Sequence, residues 1–108
     1  MLHPALRTDP AALVIRKGMN PSVDSYSAFF ENDHVTATGL DGFLRTRGIT
    51  TLTLCGLATD YCVNFSAVDA ARLGFAVTVR LDLSRAIDLG GSLAAARAGM
   101  QAAGVVLV

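Results

Sequence analysis

The chain has 108 residues, a length that suits one domain with a modest core. Nine Lys and Arg balance nine Asp and Glu, and no basic run or arginine-and-aromatic patch occurs, which argues against a nucleic-acid partner. No apolar run approaches the roughly 20 residues of a spanning helix, and residues 1–10 lack the charged-then-apolar order of a secretion signal. A cytoplasmic protein with Cys55 and Cys62 reduced is therefore expected, with no membrane partner.

Hydrophobic residues make up 52% of the chain and are mostly aliphatic, which predicts a sheet buried on both faces. Ala11 to Arg16 reads as a first strand ending at Lys17-Gly18. Residues 19–34 then form a long irregular segment containing Asn20-Pro21. Loops beyond about 12–15 residues are uncommon in compact domains unless they bind something, and Tyr26, Phe29 and Phe30 are expected to pack this one down. Thr38 to Arg47 reads as a short helix with Leu40, Phe43 and Leu44 on one face, closed by Gly48.

Ile49 to Cys55 is rich in β-branched and apolar residues and predicts a second, buried strand, so Cys55 is read as a core residue. Gly56 turns the chain into a helix from about Tyr61 to Leu73, stopped by Gly74. Phe75 to Leu81 predicts a third strand and Asp82 to Asp88 a connection. Ser92 to Ala103 predicts an Ala-rich helix ending at Gly104, and Val105 to Val108 a fourth strand. Strands alternating with helices give one α/β domain over residues 1–108. Its expected architecture is three-layer α/β/α, with an open, mainly parallel sheet of about four strands.

In such a sheet the binding site lies beyond the carboxyl ends of the strands, which brings Lys17, Cys62 and Asp82 to one edge. The run Cys55 to Val63 places Cys62 at a helix start, where unpaired N–H groups and the positive end of the helix dipole favour a thiolate. The Lys17 ammonium would favour it further. A thiolate so placed can attack a carbonyl carbon, with the N–H groups of Ala58 and Cys62 holding the oxyanion. Each residue also has a plainer role. Cys62 can be a small buried hydrophobe, Lys17 a surface charge, Asp60 and Asp82 turn or cap residues, and Tyr26, Phe29 and Phe30 loop anchors. His3 and His34 lack the paired spacing of metal ligands, so no metal site is read from them.

Lys17 to Pro21, Asp24 to Phe30 and Gly56 to Val63, followed by Asp69 to Gly74 and Arg85 to Val105, closely resemble the bacterial nicotinamidases of the isochorismatase-like cysteine hydrolase superfamily. The resemblance implies hydrolysis of nicotinamide to nicotinate and ammonia in NAD salvage through a cysteine acyl-enzyme. Cys62 would be the nucleophile and Lys17 its charge partner in a Cys-Lys-Asp triad. Ala58 and Cys62 would form the oxyanion hole after a cis Leu57–Ala58 peptide, and Tyr26, Phe29 and Tyr61 would lie about the substrate.

The resemblance also implies a divalent metal (zinc, iron or manganese) near the pyridine nitrogen. The Asp and His residues that hold it, and the triad Asp, belong to the family's N-terminal half, whereas this chain resembles the C-terminal half. Three expectations follow: the 108 residues alone turn over little or no nicotinamide, Asp82 does not stand in for the absent acid, and an exposed sheet edge leaves self-association into a homo-oligomer open. Two other readings stay open, an isochorismatase-like hydrolase of another small amide and a non-catalytic, truncated α/β module.

Overall fold

The computed structural model describes residues 11, 13, 26–30 and 37–108. The strand expected over Ala11 to Arg16 (apart from residues 11 and 13), Lys17 and the loop before Tyr26 lie outside the described residues. The elements are α1 (Leu40–Thr46), β1 (Thr51–Leu57), a π-helical turn (Thr59–Val63), α2 (Asn64–Arg72), β2 (Ala76–Arg85), α3 (Ser92–Ala102) and β3 (Val106–Leu107). Each α-helix gives way to a glycine at positive φ, Gly48, Gly74 and Gly104, at the three stops expected from sequence.

The strands lie in the order β1-β2-β3 and all pair in parallel, which makes the open α/β sheet expected. A parallel pair needs a crossover, here α2 and then α3. Two right-handed crossovers advancing in the same direction place both helices on one face of the sheet. There Val63, Ala67 and Ala70 meet Val77 and Val79 of β2 and Ala96 and Met100 of α3 in one buried cluster. The alanines let α2 lie close to the strands, and Val79 and Met100 are fully enclosed. In the same cluster Phe75 receives the Arg45 guanidinium 4.7 Å from its ring centre, and Arg45 also donates to the Leu73 carbonyl, fastening α1 to the end of α2.

Two expectations need correction. Cys55 is exposed, not in the core. Burial along β1 alternates strictly, with Leu52 and Leu54 turned toward the helices and Thr51, Thr53, Cys55 and Leu57 turned away. Among the described residues nothing covers that second face. Likewise β2 does not stop at Leu81 but runs to Arg85, because its pairing with β1 resumes after an irregularity between Leu54 and Gly56, with Gly56 opposite Ser84. The Ser84 hydroxyl fills that gap, accepting from the Gly56 N–H at 3.2 Å and donating to the Arg80 carbonyl at 2.8 Å.

Candidate active site

The end of β1 enters the site through backbone that few residues can adopt. Gly56 stands at φ 128, and the following Leu57–Ala58 peptide is cis, as the resemblance implies. Ala58 is extended, at φ −100 and ψ 148, and its carbonyl accepts the N–H of Tyr61 at 3.1 Å and of Val63 at 3.0 Å. The second bond spans five residues, so the chain makes a wide π turn before α2 begins at Asn64. The helix expected from Tyr61 therefore starts two residues earlier and in a different form. Single π turns of this kind recur at functional sites.

Cys62 lies in that turn, half-buried, and lines a cleft of about 170 Å³ with Ala28, Leu54, Cys55, Leu57, Val63 and Ser66. Cys62 thus borders an open cleft at the carboxyl end of β1, as the sheet rule requires. Cys55 lines the same cleft, which its reading as a core residue did not foresee.

Tyr26 and Tyr61, 35 positions apart in sequence, come together with ring centres 5.7 Å apart, and Tyr26 stacks on Phe65 at the same separation with planes 17° apart. Phe65 was not singled out from sequence. Its position four residues after Tyr61 puts the two on one helical face, and that spacing is the signal that could have found it. Phe29 goes elsewhere. It is 2% exposed, and its ring lies 6.0 Å from that of Phe75, so it anchors the loop in the core and does not line the cleft.

The loop around these aromatics is fastened on both sides. Ser66 Oγ accepts the Ala28 N–H at 2.8 Å, and Thr38 Oγ1 donates to the Ala28 carbonyl at 2.5 Å. Ser27 Oγ accepts the Phe29 N–H at 3.0 Å, closing a local turn. Ser66, too, escaped the sequence reading.

Asp60 is buried, and both of its oxygens are engaged. Oδ1 accepts the Ile87 N–H at 3.0 Å, and Oδ2 accepts the Asp88 N–H and the Ser92 hydroxyl, each at 2.6 Å. Burial pushes this carboxyl up, but the Ser92 hydroxyl and the two backbone N–H groups outweigh it and hold the group down at about 2. Asp82, expected just beyond the third strand, lies instead within β2 and pairs with Arg80 at 2.7 and 2.9 Å. That pair lowers the Asp82 carboxyl and keeps it occupied at the surface.

Lys17 lies outside the described residues, and so do His3 and His34. Among the described residues no group of three His, Cys, Asp or Glu side chains converges on a point where a metal could sit. The described residues therefore do not fit the divalent metal that the resemblance implies. Among them, too, no helix is long and apolar enough to cross a membrane.

The isochorismatase domain family matches residues 1–108. The nicotinamidase of Acinetobacter baylyi is 50% identical over 104 residues, which cover 96% of this chain and 49% of the relative. Among solved structures, a nicotinamidase and pyrazinamidase of Acinetobacter baumanii superposes with a TM-score of 0.97 at 49% identity, covering 100% of this chain and 52% of the other. The L. infantum protein PnC1, solved in complex with nicotinate, gives 0.93 at 43% identity, with 99% and 53% covered. A pyrazinamidase of Pyrococcus horikoshii, solved in complex with zinc, gives 0.76 at 31% identity, with 90% and 50% covered. The chain spans about half the length of the curated relatives it matches.

Proposed function

Because the chain belongs to the isochorismatase family, we propose that residues 1–108 are the nucleophile-bearing part of a nicotinamidase, an amide hydrolase acting on nicotinamide in cytoplasmic NAD salvage. One observation carries the reading: Cys62 opens onto the cleft from a π turn entered through a cis peptide, in a chain half identical to a nicotinamidase. The nicotinate held by the L. infantum relative supports a pyridine carboxamide as substrate.

The chemistry is acyl transfer. Cys62 Sγ attacks the amide carbonyl carbon and forms a C–S bond, while the carbonyl oxygen takes the negative charge and is held by the N–H groups of Ala58 and Cys62. Collapse of that adduct breaks the C–N bond, and the nitrogen takes a proton from solvent and leaves as ammonia, a proton that the water consumed in the next step returns. Water then adds to the thioester carbon, the C–S bond breaks, and nicotinate departs as Cys62 regains its thiolate. Lys17 is the charge partner of the thiolate. By the family resemblance Tyr26 and Tyr61 lie about the substrate, and Phe29 supports their loop from the core.

The test joins this chain to the portion of the Acinetobacter baylyi nicotinamidase that it does not span. Ammonia release from nicotinamide, abolished by Cys62→Ala, is expected. A folded chimera that leaves nicotinamide intact, or that prefers a non-pyridine amide from a panel, would overturn the assignment. The 108 residues alone are expected to release little or no ammonia.

A further inference from the structure

A π turn is a loose way to hold a nucleophile, since its widened backbone has weaker internal hydrogen bonding than an α-helix and needs anchors from outside. Asp60, two residues before Cys62, supplies one. Its carboxylate leaves the turn and binds the connection between β2 and α3, where the Ile87 and Asp88 N–H groups point into it at 3.0 and 2.6 Å. Ser92 extends the grip: its hydroxyl donates to Asp60 Oδ2 at 2.6 Å and accepts the Leu89 N–H at 2.8 Å. Three successive N–H groups, 87 to 89, are thereby satisfied by two side chains. The conformation is specific, because Asp88 sits at φ 55, left-handed backbone that a non-glycine residue seldom adopts. Asp88 Oδ1 in turn accepts the Leu93 N–H at 3.2 Å, which ties the same connection to the first turn of α3.

This wiring also says what Asp60 does not do. It is 4% exposed, and both oxygens are committed to N–H and O–H donors, so it is not available as the acid or base of a Cys-centred triad. We propose that Asp60 is a positioning residue for Cys62: by gathering the N–H groups of Ile87 and Asp88 and the Ser92 hydroxyl, it holds the π turn where the thiol meets the cleft. The proposal rests on the reading of Cys62 as nucleophile. It adds Ser92 as the group through which α3 shares in the hold.

The experiment measures iodoacetamide alkylation of Cys62 and Cys55 in the 108-residue chain by peptide mass, for wild type, Asp60→Asn, Ser92→Ala and Ser92→Thr. Amide exchange at Ile87 and Asp88 is followed alongside. Asp60→Asn and Ser92→Ala are expected to speed that exchange and to slow Cys62 alkylation by about tenfold, the factor set by loss of one charge-assisted hydrogen bond, with the Cys55 rate unchanged. Ser92→Thr keeps the hydroxyl and is expected to keep the wild-type Cys62 rate. Should Asp60→Asn not fold, Ser92→Ala decides the matter, since it leaves the carboxylate its two backbone donors. A Cys62 rate that is unchanged or raised while exchange at 87 and 88 accelerates would overturn the proposal and leave Asp60 a structural staple. The nucleophile reading fails separately, on a wild-type Cys62 no faster than Cys55, because the Asp60 proposal is scored on the change in Cys62 rate between wild type and variant.

Discussion

Ser66 accepts the Ala28 N–H at 2.8 Å, joining positions 38 residues apart and fastening the loop that carries Tyr26 to the helix that follows Cys62. Ser66 lies four residues after Cys62, so the bond holds loop and nucleophile on the same side of the helix. It is also buried, and Ser66→Ala leaves the Ala28 N–H without that partner. The cost expected is about 1–3 kcal/mol, mostly the desolvation of an orphaned donor. Urea unfolding measures it. A companion loss of the Tyr26–Tyr61 contact should appear in tyrosine ring resonances, whereas unchanged rings would mean that Thr38 alone suffices to hold the loop.

Asp60 makes acid stability predictable in sign. Its folded-state value of about 2 lies below the ordinary 3.8, so the unfolded chain takes up the proton first as the pH falls. The stabilisation is fully present above about pH 4 and is lost as the pH drops from there through about 2. Asp60→Asn removes the titrating group. The gap in urea midpoint between wild type and this variant should therefore stay constant from pH 7 to pH 5 and shrink between pH 4 and pH 2. A gap that does not narrow there would show that the carboxylate is not held in its charged form.

Much of the fold was legible because its signals are local. Gly48, Gly74 and Gly104 ended helices as read, and the β-branched run before Gly56 formed a strand. The errors came from asking local sequence to report what covers a face. The β-branched and apolar run Thr51-Leu52-Thr53-Leu54-Cys55 predicts a buried strand, yet its period of two already separates Cys55, with the threonines, from the leucines. At the site, the turn carrying Cys62 could be located by motif, whereas the contact between the rings of Tyr26 and Tyr61 was not foreseen. The roles of Ser66 and Ser92 were not legible, because each depends on a partner 32 to 38 residues away. Asp60 looked like an ordinary turn residue for the same reason. Nothing in its neighbours announces that Ile87 and Asp88 will turn their N–H groups toward it.

Gly56 tests whether the entry to the site is limited by space or by backbone. A Cβ built there meets nothing within 4 Å, yet φ is 128, a region that residues with side chains rarely adopt. Gly56→Ala should therefore cost about 1–3 kcal/mol through backbone conformation alone. Because the same residue opens the Leu54–Gly56 irregularity and donates to Ser84, the substitution should also slow Cys62 alkylation relative to Cys55. A crystal structure of the variant in which φ at position 56 has changed and the Leu54–Gly56 irregularity is lost, together with full Cys62 reactivity, would refute the link between the strand irregularity and the thiol.

Met100 offers a separate measure of the layer that supports the site. It is fully enclosed among buried residues from α2, β2 and α3, so Met100→Ala should cost about 2–5 kcal/mol, the transfer term plus an unfilled cavity. Met100→Leu keeps the volume and should cost less than about 1.5 kcal/mol. Val106 is the contrast, because it lies on the uncovered face at 54% exposure and Val106→Ala removes little buried area. Urea unfolding of the three variants should rank them Met100→Ala, Met100→Leu, Val106→Ala in decreasing cost. If Val106→Ala proved as costly as Met100→Ala, the face of the sheet away from α2 and α3 would have to be packed in solution, and a second copy of the chain would be the first occupant to test by sedimentation.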